Sequence, residues 1–161
     1  VKSKYERHVR KFIQRLVNVA IKNNYILIVS SGGKDFVNSD ISNIHFFRNV
    51  PQFEVLSVTD VFITHAGFNS VKESIQAEVP MLVYLAESYG DQKANSARII
   101  FHGIGLQGNI KRDKEPDISD NITELLINPI YRQNIKELKK ADRQYTEGNL
   151  KKVVSQIKPL S

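Results

Sequence analysis

The sequence THAGFNS places an imidazole, an amide and a hydroxyl between an apolar stretch and a helix-like pattern. Gly67 allows the backbone to approach a ligand closely, and the amides near Phe68, Asn69 and Ser70 are expected to open the helix. A helix start carries unpaired N–H donors and about half a positive charge, which favours phosphate binding. His65, Asn69 and Ser70 could donate hydrogen bonds to the same anion, so this segment is a candidate phosphate site.

Glu73 follows one helical turn later, where its carboxylate would repel a phosphate and would instead accept hydrogen bonds from hydroxyls, such as those of a ribose. A structural alternative exists for the same residues. Ser70 and Glu73 fit the S-x-x-E capping box, in which both side chains serve only the helix start. His65 could equally be a hydrogen-bonded turn residue, and Gly67 a residue with positive φ. The spacing alone leaves both interpretations open.

Two further polar segments could contribute to a ligand site. GDQKANSAR supplies Asp91 and Gln92 as neighbours, and an acid beside an amide suits sugar hydroxyls, which both donate and accept. Asp91 or Gly90 could instead simply cap a helix. Gln52 follows Pro51 in a turn and could be merely exposed. The segment SSGG lacks the Gly-Lys-Ser/Thr ending of a P-loop, so it is a weak indication of phosphate binding by itself.

The elements that must position these segments alternate between short apolar strands and amphipathic helices. Apolar residues at helical spacing, with caps and breakers between them, predict helices over 5–22, 68–77, 91–102, 118–127, 130–145 and 149–158. Continuous apolar runs predict strands in YILIVSS (25–31), NIHFF (43–47), DVFIT (60–64) and VPMLVYL (79–85). A Pro-led turn is expected at NVPQFEVL, and a short strand after GIG.

This alternation predicts an α/β fold, a Rossmann-like doubly wound parallel sheet with helices on both faces. In such a sheet, ligands bind beyond the carboxyl ends of the strands. Three polar loops follow strands here, SSGGKD, THAGFNS and LAESYGDQ, so we expect them to converge on one edge. The chain opens on a helix, whereas a domain of this class normally opens on a central strand. We therefore expect that strand just upstream of Val1.

Composition narrows the possible functions. The 161 residues carry a net charge of +6 and no cysteine, which excludes disulfides and thiolate metal sites and leads us to expect a cytoplasmic protein. No apolar run reaches the length of a membrane span. The basic surplus favours anionic ligands. Without an RNA-recognition signature or zinc-finger spacing, no nucleic-acid partner is expected, whereas peripheral membrane contact stays open.

One family combines these motifs. The series NVPQFEVL, TDVFITHAGFNSVKES, EVPMLVY, GDQKANSARI and GIG resembles the donor-binding signature of UDP-glycosyltransferases, which include plant secondary-product and bacterial macrolide-type enzymes with the GT-B fold. The resemblance covers residues 25–106 in order. It implies that residues 1–161 form the nucleotide-sugar (donor) binding domain, the C-terminal half of such an enzyme, and that the acceptor domain is absent from this chain.

The resemblance also implies a role at each matching position. The implied roles are diphosphate binding by His65, Gly67, Asn69 and Ser70, ribose binding by Glu73, and base binding by Gln52 and the backbone of Val50. Asp91 and Gln92 are implied to bind the transferred sugar. Three positions depart from the family pattern. Asn49 replaces the Trp of plant members, Glu78 replaces a Gly before Val-Pro, and the Pro common after the next strand is replaced around Leu85.

The mechanism that the resemblance implies is direct attack of an acceptor hydroxyl on the donor sugar, with inversion. The family's general base, a His, belongs to the N-terminal acceptor domain, so no catalytic residue is expected in this chain; His8, His45 and His102 are expected to be ordinary histidines. Neither a metal nor a cofactor is expected, since the UDP-sugar is a substrate. The chain is thus expected to bind a nucleotide sugar and to transfer none alone.

Two alternatives remain from the sequence. The chain could be a separate donor-binding subunit, with its acceptor small molecule bound by a partner subunit rather than by an N-terminal domain. It could also be a non-enzymatic Rossmann-like module whose basic surface docks on a membrane or a nucleic acid, because a fold alone does not fix a function.

Overall fold

The structure, a computed structural model, describes residues 4–33, 41–85 and 90–156. Helices and strands alternate along most of the chain. In order they are α1 (Lys4–Asn23), β1 (Leu27–Ser30), β2 (Ile44–Phe47), α2 (Gln52–Leu56), β3 (Phe62–Thr64), α3 (Phe68–Ala77), β4 (Met81–Tyr84), α4 (Gly90–Phe101), β5 (Gly105–Gly108), α5 (Glu115–Ile127) and α6 (Ile130–Gln156).

All described strand pairs are parallel, which confirms the predicted α/β class. β1 pairs with β2, with Leu27 opposite Ile44, and β4 pairs with both β3 and β5. The hydrogen-bonded ladder is divided, however, into a two-stranded sheet β1-β2 and a three-stranded sheet β3-β4-β5. Among the described strands, β4 therefore has a partner on both sides, and each of the others has a partner on one side only.

β4 is buried along its whole length because helices cover both of its faces. Leu82 and Tyr84 pack with residues of α1 and α5, including Phe12 and Ile118. The alternate residues of β4, Met81 and Val83, pack on the other side with residues of α3, α4 and α6. Since successive side chains of a strand point to opposite faces, this two-sided core explains the continuous apolar run of VPMLVYL.

The structure corrects three of the predicted elements. The helices predicted at 130–145 and 149–158 are one helix, α6, up to Gln156, because Gly148 lies in its exposed interior and costs only about 1 kcal/mol there. The Pro-led turn is followed by the short helix α2, which buries Leu56. α5 starts at Glu115 rather than at 118, since the backbone N–H of Lys114 donates to the carboxylate of Asp117 at 2.8 Å.

The remaining predicted helices and strands are confirmed with shifts of a few residues at their ends. The short strand expected after GIG is β5, which begins within that segment at Gly105. Within the described ranges, no helix is long and apolar enough to cross a membrane. Residues 157 and 158 of the last predicted helix lie outside the described residues.

Glu78, one of the departures from the family pattern, ends α3 in the left-handed conformation with φ 61°. Its carboxylate accepts a hydrogen bond from Nζ of Lys139, on α6, at 2.8 Å. This hydrogen bond lowers the pKa of Glu78 below its usual value. A glycine would adopt the same φ without steric cost. Compared with a glycine, Glu78 therefore has a less favourable backbone conformation in exchange for a contact between α3 and α6.

Replacing Glu78 by glycine tests this exchange. The left-handed conformation costs a non-glycine residue about 1–2 kcal/mol, whereas a half-buried ion pair at the protein surface contributes about 0–1 kcal/mol. We expect Glu78→Gly to raise the free energy of unfolding at pH 7 by up to about 1 kcal/mol, measured by urea denaturation. A lower free energy of unfolding in Glu78→Gly would show that the contact with Lys139 outweighs the backbone cost.

The difference in stability between Glu78→Gly and the wild type should also depend on pH. Because the pKa of Glu78 is lowered in the folded state, its contribution is fully present above the unfolded pKa and is lost as pH falls through the folded pKa. The advantage of Glu78→Gly over the wild type should therefore be larger at about pH 3 than at pH 7. Glu78→Gln, which keeps the backbone strain and loses the charge, is the matched control and should approach the wild type at low pH.

Candidate functional site

The turn between β3 and α3 carries the candidate phosphate site. Thr64 ends β3, and its Oγ1 accepts a hydrogen bond from the N–H of Ala66 at 3.2 Å. Ala66 is fully buried and adopts the left-handed conformation with φ 63°. Gly67 is the N-cap of α3 with φ −63°. The idea that Gly67 supplies a positive φ is therefore wrong, since Ala66 supplies it.

The absence of a side chain at Gly67 nevertheless has a clear effect. A Cβ at this position would lie 3.1 Å from Nε2 of His65, so the imidazole sits directly against the glycine. The His65 side chain is exposed at the edge of the turn. Gly67 thus leaves room for the imidazole beside the start of α3. A glycine is needed here because of this close approach, and not because of an unusual backbone conformation.

The first amides of α3 are open. The first hydrogen bond at this end of the helix runs from the N–H of Val71 to the carbonyl of Gly67, at 3.0 Å. The N–H groups of Phe68, Asn69 and Ser70 have no hydrogen-bond acceptor among the described residues, and no side chain caps the helix. Three unpaired donors at the start of a helix favour a bound anion.

Three of the predicted site residues are in direct contact. Nε2 of Gln52, the first residue of α2, lies 3.3 Å from Oγ of Ser70 and 2.5 Å from Oε2 of Glu73. All three side chains are half-buried where α2 packs against α3. Val50 lies two residues before α2 and is also half-buried. The positions expected to bind base, ribose and diphosphate thus share one surface.

These contacts exclude the capping box. Ser70 is the third residue of α3 rather than its N-cap, which is Gly67. The carboxylate of Glu73 accepts a hydrogen bond from Gln52 and accepts none from the amides at the start of α3. The alternative interpretation of the S-x-x-E pattern is therefore wrong, because the helix begins three residues earlier than a capping Ser70 requires.

The start of α4 lies against the same turn. Asp91 is exposed and Gln92 half-buried in the first turn of α4, and Oε1 of Gln92 is buried without a hydrogen-bond partner. Asn95, one turn further on the same face, donates from Nδ2 to the carbonyl of Ala66 at 3.0 Å. α4 is therefore fixed to the turn, with the two predicted sugar-binding residues at its amino-terminal end.

Parts of the predicted site lie outside the described residues. These are residues 34 and 35 of SSGGKD and residues 86–89 of LAESYGDQ. Gly90 and Asp91 are both helical residues of α4, so neither occupies its N-cap position, and the interpretation of either as the cap is wrong. The described part of the first loop, which follows β1, lies beside the residue after β2, because the N–H of Gly32 donates to the carbonyl of Arg48 at 2.8 Å. Within the described ranges, no group of three or more His, Asp or Glu residues could hold a metal ion.

One residue at the site was not assigned from the sequence. Asn95 stood inside the quoted segment GDQKANSAR, three residues after Gln92, and that spacing places both side chains on one helix face. A buried asparagine on the face of a helix that borders a ligand loop is the signal that could have found it. Its partner, the carbonyl of Ala66, is a tertiary contact that no local pattern indicates.

Solved structures with the same architecture identify the class of protein. The glycotransferase of kitacinnamycin superimposes with a TM-score of 0.74 and 25% sequence identity, covering 83% of this chain and 35% of that one. The spinosyn forosaminyltransferase SpnP gives a TM-score of 0.74 at 19% identity, covering 96% of this chain and 41% of that one, and so supports the fold alone. The chain has the α/β fold of GT-B glycosyltransferases.

The amino-acid sequence narrows that class to a family. Residues 38–154 match the family described as UDPGT, UDP-glucoronosyl and UDP-glucosyl transferase. Since this match covers more than half of the chain, the chain belongs to that family, whose members are glycosyltransferases. The resemblance that the motifs indicated is thereby confirmed.

Individual relatives agree with the family. The chain is 36% identical over 118 residues to a putative UDP-glucuronosyltransferase, ugt-48, of Caenorhabditis elegans, covering 71% of this chain and 22% of the relative. It is 37% identical over 99 residues to the ecdysteroid UDP-glucosyltransferase of Lacanobia oleracea granulosis virus, covering 60% and 21%. The chain thus spans about a fifth of the length of these relatives.

Replacing Ser70 tests whether its side chain caps the helix or is available to bind a ligand. A capping serine contributes about 1 kcal/mol to stability, whereas Ser70 lies inside α3, where alanine has the higher helix propensity. We expect Ser70→Ala to change the free energy of unfolding by less than about 0.5 kcal/mol, measured by urea denaturation.

Ser74, on the same helix, is the matched control. Its Oγ is fully buried and donates to the carbonyl of Val79 at 2.6 Å, so Ser74→Ala should cost about 1–2 kcal/mol. A loss in Ser70→Ala as large as that in Ser74→Ala would contradict the interpretation of Ser70 as a residue whose hydroxyl is kept for a ligand.

Proposed function

We propose that this chain binds a nucleoside diphosphate sugar as the donor-binding part of an inverting glycosyltransferase, which transfers a hexose to an acceptor hydroxyl. Residues 1–161 would form the donor domain and would be incomplete for transfer alone. The observation that carries the proposal is the open start of α3, which lies beside the contact between Gln52, Ser70 and Glu73. Membership of the UDPGT family supports the choice of ligand.

The open amides give the diphosphate its place. Unpaired N–H donors at the start of α3 carry a partial positive charge, so they favour the two phosphate groups without a metal ion. The exposed side chains of His65 and Asn69 stand at the same end of the helix and would donate further hydrogen bonds. When the sugar leaves its phosphate, these donors stabilise the charge that develops on the diphosphate.

The nucleoside would lie along α2 and α3. Gln52 and Glu73 already satisfy each other through a hydrogen bond, and a ribose with its two hydroxyls could join or replace it at the Glu73 carboxylate. The backbone at Val50, just before α2, would contact the base. The aromatic residue that plant members place near the base is Asn49 here, so base stacking must involve another group.

The transferred sugar would contact the start of α4. The buried Oε1 of Gln92 has no hydrogen-bond partner, which leaves it able to accept from a sugar hydroxyl, and Asp91 is exposed beside it. These two residues would orient the sugar so that its anomeric carbon faces the acceptor. The acceptor and the general base would come from an N-terminal domain or from a partner subunit, and the donor would be a substrate rather than a cofactor.

Calorimetry with UDP and with dTDP tests the proposal directly. We expect the chain to bind a nucleoside diphosphate and His65→Ala to weaken that binding about tenfold, which corresponds to the loss of one hydrogen bond to a charged group. His102→Ala is the matched control, because His102 is an exposed histidine at the far end of α4, and it should bind as the wild type does.

The opposite outcomes identify the alternatives. A folded wild-type chain that binds neither diphosphate would reject the proposal. Retention on anionic vesicles or DNA that disappears with salt, combined with indifference to nucleotides, would favour the non-enzymatic module instead. Transfer that returns only after a separate acceptor protein is added would favour the two-chain arrangement.

Glu73 provides a separate test of the ribose position. If its carboxylate accepts hydrogen bonds from the ribose, wild-type protein should bind UDP several-fold more tightly than 2′-deoxy-UDP. In Glu73→Leu this preference should disappear, and the affinities for the two nucleotides should become equal in parallel titrations. An unchanged preference in the variant would place the ribose elsewhere.

A further inference from the structure

We propose that Asn95 is a positioning residue for the donor diphosphate, which holds the carbonyl of Ala66 inward and so directs the N–H of Gly67 toward the phosphates. The inference rests on the proposed function, since it assigns a cause to the orientation of one phosphate donor. It adds a residue that touches no part of the ligand. Its position on α4 distinguishes it from every residue of the turn itself.

The contact between Asn95 and the turn is buried on both sides. Asn95 is 7% exposed and Ala66 is fully buried, and the hydrogen bond from Nδ2 of Asn95 to the carbonyl of Ala66 measures 3.0 Å. The other end of the amide, Oδ1, lies 3.5 Å from a guanidinium nitrogen of Arg98. The donor end therefore faces the carbonyl and the acceptor end faces the cation, which supports this orientation of the amide.

Peptide geometry converts this contact into a direction for Gly67. The peptide bond between Ala66 and Gly67 is trans, since the described residues contain no cis peptide bond. In a planar trans peptide, the C=O of one residue and the N–H of the next point in opposite directions. Because Asn95 holds the carbonyl of Ala66 toward the interior, the N–H of Gly67 must point outward.

The outward N–H has no other role in the structure. The N–H of Gly67 donates to no acceptor among the described residues, as is also true of the three amides that follow it. Gly67 is half-buried at the mouth of the turn, with the imidazole of His65 against it. This amide is thus the first of a row of donors at the start of α3, and Asn95 sets its direction.

The turn needs such an anchor because its conformation is unfavourable. Ala66 has φ 63°, which costs a residue with a Cβ about 1–2 kcal/mol. Two hydrogen bonds hold the residue there: its N–H donates to Oγ1 of Thr64, and its carbonyl accepts from Asn95. Gly67 allows the neighbouring peptide to rotate easily. Without Asn95, rotation of the 66–67 peptide would therefore turn the Gly67 amide away from the phosphates.

Asn95 also links two parts of the proposed site. It lies three residues after Gln92 on α4, so it shares a helix face with the residue proposed to bind the sugar. The helix that orients the sugar would therefore also set the direction of a phosphate donor. A shift of α4 would change both contacts together, which would keep the sugar and its leaving group in register.

The test compares UDP with uridine. Uridine occupies the nucleoside position and lacks the phosphates, so the ratio of its dissociation constant to that of UDP isolates phosphate binding. We expect Asn95→Leu, which removes the donor at similar volume, to lower this ratio about tenfold, chiefly through weaker UDP binding. Both ligands are titrated by calorimetry or amide NMR, and the ratio is independent of the fraction of protein that is folded.

Ser96→Ala is the matched control on the same helix. Ser96 is equally buried, and its Oγ donates to the side-chain oxygen of Gln107 at 2.6 Å, so its loss weakens α4 without touching the turn. The control should lower stability and leave the ratio unchanged. If Asn95→Leu does not fold, Asn95→Ser, whose hydroxyl is too short to reach the carbonyl, carries the same comparison.

A second readout needs no ligand. In the wild type, the amide and Cα shifts of Ala66 should report its positive φ, and they should move toward ordinary values in Asn95→Leu or Asn95→Ser. An unchanged ratio with UDP binding intact would overturn the role of Asn95 and leave the proposed function standing. Absence of UDP binding in the wild type would instead overturn both, and the two failures are thus distinguishable.

Discussion

Parallel pairing of β4 with strands on both sides is the constraint on which the rest of this structure depends. The pairing aligns β3, β4 and β5 in one direction, so their carboxyl ends meet at a single edge of the sheet. The side chains of β4 alternate between two apolar layers that helices complete. Once β4 is buried on both faces, α3 and α4 must begin at that edge, and their first turns become neighbours.

The candidate site is defined by which polar groups at this edge have hydrogen-bond partners and which have none. A helix that starts beside a buried core leaves amides which must find acceptors, and α3 leaves them open instead. Meanwhile, the polar side chains nearby satisfy one another or the backbone, as Gln52 does with Glu73 and Asn95 with Ala66. Among the described residues, Oε1 of Gln92 and the first amides of α3 are left without partners, and these are the groups to which we assign the proposed ligand.

The sequence was sufficient to predict most of the fold, because the apolar periods of its strands and helices are strong local signals. The resemblance also assigned Gln52, Ser70 and Glu73 to the binding of one nucleotide, and the structure brings their side chains into contact. Local patterns failed where tertiary contacts decide. The capping box matched Ser70 and Glu73 in spacing, but the helix start is fixed by the turn at Ala66. Ala66 has a positive φ, which the sequence does not indicate because the residue is not a glycine.

The role of Asn95 and the continuity of α6 were missed for two different physical reasons. A buried amide is recognisable only by the carbonyl it contacts, and Ala66 lies far from Asn95 along the chain. Gly148 reduces helix propensity by an amount that the remaining helix formers of α6 offset. Thus, the effect of a single glycine on helix α6 was overestimated, and a long-range hydrogen bond left no local pattern in the sequence.

The division of the ladder into the sheets β1-β2 and β3-β4-β5 leaves β1 and β3 each at a sheet edge. Each of these strands presents a row of backbone donors and acceptors that no described strand satisfies, although both strands border the same apolar core. Such rows are templates for an additional extended peptide. An extended segment that reached either edge would therefore find backbone groups able to pair with it.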